Sequence, residues 1–151
     1  MIIMLNEDLI GKIEFYDFLT GKATTAISRR MQRNLKDVGI NITAEQWSIL
    51  YNLWQEEGLT QQELAIRTFR DKPSITRLIN NLEKLNLVIR VNDKDDRRSN
   101  LIYLTKSARK LKEMGMQQAN KTIAEALDGV SPDTIDMAQV TLQQVICNLR
   151  K

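Results

Sequence analysis

Residues Thr60 to Thr105 read TQQELAIRTFRDKPSITRLINNLEKLNLVIRVNDKDDRRSNLIYLT. Thr60 with Glu63 three positions on is a capping box, which predicts a short helix through Thr68. Leu64, Ala65 and Phe69 are expected to face inward. Asp71 then caps a second helix, and Pro73 sits in its first turn, where a missing N–H costs little. On that helix Ile75, Leu78, Ile79, Leu82 and Leu85 fall within about 120° of one another. Pro73, Thr76, Arg77, Asn80 and Lys84 point the other way. Asn86 can end the helix in a left-handed conformation. Leu87–Val91 and Leu101–Leu104 read as strands around the charged tip NDKDDRRSN, which should project and be free to move. Helix, turn, helix and hairpin predict a winged helix-turn-helix, mainly α with a small β-hairpin wing.

Outward from this run the chain is helical. Apolar residues recur at steps of three and four from Leu9 to Val38, so one long helix is expected over about 7–38, stopped by Gly39. Thr43 with Gln46 forms another capping box, opening a helix to about Glu57. Its stripe of Trp47, Leu50, Tyr51 and Trp54 reads first as core packing. Leu59 is positioned to add a short strand to the hairpin. Downstream, Thr105 caps a helix carrying Ala108, Leu111, Met114, Ala119, Ile123, Ala126 and Leu127. After Gly129, Ser131-Pro132 opens a last helix with Ile135, Ala138, Leu142, Val145, Ile146 and Leu149 along one side.

Composition narrows the chemistry. At 151 residues the chain fits one domain, expected to span 1–151. No apolar run reaches the roughly 18–20 residues of a membrane span, and MIIMLNEDLI lacks a basic n-region and a cleavage site. The single cysteine, Cys147, suits a reducing compartment, so a cytoplasmic protein is expected. With no histidine, His-based acid–base catalysis and His-ligated metal sites are unavailable. No metal or cofactor motif and no catalytic constellation is evident, so an enzyme is not expected. The net charge of +3 is modest, but residues 60–105 hold nine Lys/Arg against six Asp/Glu, leaving the rest of the chain balanced. The excess has the sign a polyanion requires.

A recognition helix contacts base edges with its N-terminal part. Lys72, Pro73, Ser74, Thr76, Arg77, Asn80 and Lys84 are therefore the candidate DNA contacts on the second helix. Arginine pairs with guanine, asparagine with adenine, and hydroxyls with either bases or phosphates. An ordinary amphipathic helix with a solvated polar face would look the same, so the wing decides. Arg97 and Arg98 at a projecting tip suit a narrow minor groove, and Asp96 is positioned to hold a guanidinium in a bidentate fork. A winged helix used only for protein–protein contact is the alternative, and it would not need that arginine tip.

These residues resemble the multiple-antibiotic-resistance regulator (MarR) family of bacterial transcription factors. The wing signature is matched by Asp96, Arg98, Leu104 and Thr105. The recognition-helix signature is matched by Lys72, Pro73, Ser74, Thr76, Arg77, Leu78 and Leu82-Glu83-Lys84. The resemblance implies a homodimer interlocked through residues 7–38 and 106–151, with 43–105 binding a pseudo-palindromic operator, usually as a repressor. Redox-sensing members carry a cysteine in the N-terminal helix, and zinc-sensing members rely on histidines; this chain has neither. That leaves a small aromatic or anionic effector, with Tyr16, Arg29, Trp47, Tyr51 and Trp54 as candidate wall residues.

Overall fold

Local hydrogen bonds at helix starts set most element boundaries. In a computed structural model, which describes residues 7–150 and the side chains from residue 12 onward, both expected capping boxes are formed. Thr43 accepts the Gln46 N–H at 3.1 Å while the Gln46 side chain accepts the Thr43 N–H at 2.9 Å. Thr60 and Glu63 repeat the exchange at 3.1 and 2.7 Å. Asp71, Thr105 and Ser131 cap three further helices, each side chain accepting the N–H three residues on.

The elements run α1 (Glu7–Asp17), a π-helical turn (Phe18–Lys22), α2 (Ala23–Asp37), α3 (Ala44–Gln55), β1 (Leu59–Thr60), α4 (Gln61–Thr68), α5 (Lys72–Lys84), β2 (Val88–Asn92), β3 (Asn100–Leu104), α6 (Lys106–Lys110), α7 (Lys112–Ala126) and α8 (Pro132–Leu149). The N-terminal helix is thus continuous but not uniform. The Ala23 N–H reaches back five residues to the Phe18 carbonyl. The extra residue in that turn rotates the apolar face between α1 and α2. Strand order is β1-β3-β2, all antiparallel, with Leu59 opposite Ile102 and Val88 opposite Leu104. None of the described helices is long and apolar enough to cross a membrane.

The core joins Leu35 of α2, Ile49, Leu50 and Leu53 of α3, Leu64 of α4, Ile75, Leu78, Ile79 and Leu82 of α5, and Ile102 of β3. Leu85 and Phe69, both expected to be buried, lie outside it. Leu85 is exposed because α5 ends in a Schellman motif at left-handed Asn86, φ 58°. Leu87 donates to the Leu82 carbonyl at 2.9 Å and takes the buried place instead. Phe69 is 68% exposed, because it is itself the left-handed residue, φ 54°, that ends α4. The same motif holds there, with Arg70 donating to the Ala65 carbonyl at 3.1 Å.

The C-terminal helices depart further from expectation. One helix was expected after Thr105, but it breaks at Leu111 into α6 and α7. α7 turns Gly115, Gln118 and Thr122 inward and leaves Met114, Ile123 and Leu127 exposed. Thr122 accepts from Asn34 Nδ2 at 2.9 Å and donates to the Gln118 carbonyl at 2.8 Å, so the α2–α7 seam is a satisfied polar one. α8 buries no residue, with Met137, Val140 and Leu149 open to solvent.

Glu57 ties the end of α3 to the wing. Its carboxylate accepts the Leu104 N–H at 2.8 Å and a forked pair from Arg109 at 2.8 and 3.1 Å. The Arg109 guanidinium and then the Leu104 N–H hold this carboxyl below its ordinary pKa. A depressed carboxylate stabilises the fold above its unfolded-state pKa, and that contribution is lost as pH falls through the lower, folded value. Glu57→Gln should therefore cost about 1 kcal/mol at neutral pH and flatten the acid limb of the stability curve. Urea titrations of both proteins from neutral to acid pH check this; parallel acid limbs would refute it.

Candidate nucleic-acid interface

The start of α5 is built by Asp71, whose Oδ1 accepts the Ser74 N–H at 2.7 Å. That N–H, and then the Ser74 hydroxyl, keep the Asp71 carboxyl below its ordinary pKa. The helix start is therefore anchored while its outer face stays open. Lys72, Pro73, Thr76, Arg77, Asn80, Asn81 and Lys84 together line an open concavity of about 610 Å³. Six of these were expected from the helical spacing. Asn81 was not, although its position one turn beyond Arg77 was a usable signal. Ser74 stands apart, half-buried against the cap.

Charge on this face is held by neighbouring elements. Glu45, in the first turn of α3, lies 3.6 Å from both Arg77 and Arg70, so Arg77 is lightly tethered. Arg90 of β2 donates to Asn80 Oδ1 at 2.6 Å and pairs with Glu83 at 3.0 Å. Thr76 donates to the Lys72 carbonyl at 3.0 Å and accepts from Gln61 at 3.1 Å. Nothing in the residue pattern announced the Arg90 contact, because it depends on how β2 lies against α5.

The wing tip, residues 93–99, is more braced than its length suggests. Asp93 donates to the Ser99 carbonyl and Ser99 to the Asp96 carbonyl, each at 3.0 Å. Asp93 and Asp96 each accept the N–H two residues ahead, Asp95 and Arg98, at 3.0 Å. Asp96 therefore shapes the turn through the Arg98 backbone and does not grip the Arg98 guanidinium, which corrects the expected fork. An aspartate in a tight turn meets its own backbone N–H sooner than a long, mobile side chain. Arg97 and Arg98 are exposed, and among the described residues neither has an ion-pair partner.

The five candidate wall residues are not brought together. Trp47 stacks on Tyr51 with centroids 5.2 Å apart and meets Trp54 edge-on at 6.4 Å. The two indoles donate to the Gly115 and Ala108 carbonyls at 3.3 and 3.0 Å. They pack α3 against α6 and α7. Tyr16 and Arg29 are exposed on α1 and α2. A groove of about 940 Å³ instead lies between α2 and α7, with Ala26, Ile27, Arg30, Lys121 and Leu127 among its walls.

Comparison with known proteins agrees with this architecture. Residues 42–99 match the family model described as MarR family. The HTH-type transcriptional regulator TtmR of Methylorubrum extorquens is 39% identical over 71 residues, covering 47% of this chain and 36% of that protein. The chain spans 36% to 61% of the length of the first two curated relatives it matches. The S. aureus MepR–DNA complex is 26% identical with a TM-score of 0.79, covering 89% of this chain and 98% of that one. CouR from Rhodococcus jostii, bound to p-coumaroyl-CoA, superposes with a TM-score of 0.71 over 86% of this chain and 90% of its own; at 21% identity it speaks for the fold alone. A winged helix-turn-helix framed by long helices, a matched reading segment and near-complete overlap with known structures agree: residues 42–99 carry a MarR-family segment, on a fold shared with MarR-family winged-helix regulators.

Proposed function

We propose that the chain is a homodimeric repressor that binds a pseudo-palindromic DNA operator and is modulated by a small aromatic or anionic molecule. The observation that carries the reading is the paired placement of an open cationic face on α5 and two exposed arginines, without ion-pair partners among the described residues, on a braced wing. α5 enters a major groove through Lys72–Lys84, and Arg97 and Arg98 lie in or beside the flanking minor groove. Exposed apolar residues on three helices support pairing. Phe15 of α1, Ile123 of α7, and Met137 and Val140 of α8 are at least half exposed in the protomer. The groove between α2 and α7 suits the effector, since it joins apolar walls to the Lys121 cation at a size typical of small-molecule sites.

Two measurements on the full chain test this reading. Sedimentation at micromolar concentration should give a dimer, and selection from random duplexes should enrich a two-fold sequence. Its half-sites should lie about 10–10.5 bp apart, centre to centre. A monomer, or selection that enriches no sequence, would overturn it.

A further inference from the structure

Two guanidinia converge on one carboxylate beside the open face of α5. Arg70 lies in the turn between α4 and α5, immediately before the cap residue Asp71, and its N–H is fixed to the Ala65 carbonyl at 3.1 Å. Its side chain runs to Glu45 in the first turn of α3, whose Oε2 lies 3.6 Å from Arg70 Nη1. The same oxygen lies 3.6 Å from Nη2 of Arg77, which stands among the residues of the α5 concavity. Neither distance is that of a hydrogen bond, so Glu45 stands between the two cations without gripping either. Each guanidinium carries five N–H donors in a planar fork. Arg70 is the worse provided, because its Nε is buried and has no hydrogen-bond partner among the described residues. A buried donor without an acceptor costs more than a loose, half-exposed ion pair returns.

We infer that Arg70 and Arg77 form a clamp for a phosphate of the DNA backbone, and that Glu45 holds the place of that phosphate in the free protein. In a helix-turn-helix the helix before the recognition helix crosses the backbone, so the turn that joins them passes close to phosphates. A phosphodiester has two terminal oxygens and can offer a close acceptor to each fork, whereas Glu45 turns a single oxygen to both. The trio carries one positive charge in excess, so a phosphate is attracted before Glu45 moves. Glu45 is half exposed and gives up only two long contacts when it swings into water. Arg70, by moving onto the phosphate, gains the acceptor that it lacks. Both arginines then fix the protein on the backbone and carry no sequence information there. The inference rests on the DNA-binding reading above and adds a backbone contact to it.

The test is a set of binding titrations with the parent, Arg70→Met, Arg70→Lys and Glu45→Gln, on the selected operator and on an unrelated duplex of equal length, at several salt concentrations. Arg70→Met should weaken binding to both duplexes alike, by roughly threefold to thirtyfold, and lower the salt dependence by about one counterion per protomer. Arg70→Lys keeps the charge and should restore the salt dependence, while recovering only part of the affinity because an ammonium is not a planar fork. Glu45→Gln should strengthen binding to both duplexes by roughly twofold to fivefold. With Arg70 and Arg77 both replaced by methionine, that gain should fall below about 1.5-fold, since only a screened repulsion is left. Equal affinity of Arg70→Met and the parent overturns the clamp, as does a loss of affinity with no change in salt dependence, the mark of a merely structural Arg70. Weaker binding by Glu45→Gln, or a gain undiminished without the arginines, overturns the role given to Glu45. A parent that binds neither duplex overturns the DNA-binding reading and this inference with it.

Discussion

Alanine at Arg98 should weaken binding to the selected operator by roughly 1–3 kcal/mol while leaving the free protein as stable as the parent within about 0.5 kcal/mol. The two effects separate because the guanidinium makes no ion pair among the described residues, whereas the turn beneath it is held by backbone bonds. Asp96 accepts the Arg98 N–H, a contact that alanine retains. The wing should therefore keep its shape and lose only its charge. A minor-groove arginine gains from the strong negative potential of narrow A·T tracts, so the loss should be larger on operators with A·T-rich flanks. The salt dependence should also fall by about one counterion per protomer. Titrations of both proteins against the same duplex at several salt concentrations measure affinity and slope together. Equal affinity for parent and variant would remove Arg98 from the interface. The winged-helix fold itself would stand.

Valine at Gly115 should lower the unfolding free energy by about 2 kcal/mol and the melting temperature by roughly 4–8 °C. A Cβ at this position would lie 2.9 Å from Trp54 Cη2, 3.4 Å from Cζ3 and 3.5 Å from Trp47 Nε1. Neither indole can turn aside cheaply. Trp54 is buried and donates to the Ala108 carbonyl, and Trp47 donates to the carbonyl of Gly115 itself. Alanine is the informative control. It gains up to about 1 kcal/mol in helix propensity over glycine, which offsets part of an overpacking cost of about 1–3 kcal/mol. Valine keeps less of that gain and adds two methyl groups, so the clash wins. Thermal melts followed by circular dichroism should rank glycine above alanine above valine. A valine variant that melts with the parent would show that the α3–α7 contact repacks without cost.

Gly115 also shows where reading along the chain stops. In isolation it is a weak point in a helix, and only the indoles packed against it explain why a side chain is excluded. The same holds across α7, whose apolar positions Met114 and Ile123 are exposed while Gly115 and Thr122 are buried. Its buried side is chosen by what α2 and α3 present: Asn34 for Thr122, and Trp47 and Trp54 for Gly115.

What the sequence determined by itself is nearly all interaction within one turn. Thr43 with Gln46, Thr60 with Glu63, and the caps at Asp71, Thr105 and Ser131 each satisfy backbone groups three residues away, and each is formed. The stripe from Ile75 to Leu82 follows equally from helical period, since a helix flanked by others has only one apolar side to bury. The open side of α5, with Lys72, Arg77 and Lys84, follows from the same period. The tertiary structure decided the rest. It placed Leu87 in the core in place of Leu85, turned Asp96 onto the backbone, packed Trp47 and Trp54 against Gly115, and set Arg90 against Asn80. These contacts join residues on different elements or depend on the path of a turn. They are fixed by where each element lies, a property carried by the assembled core and by no single segment of the chain.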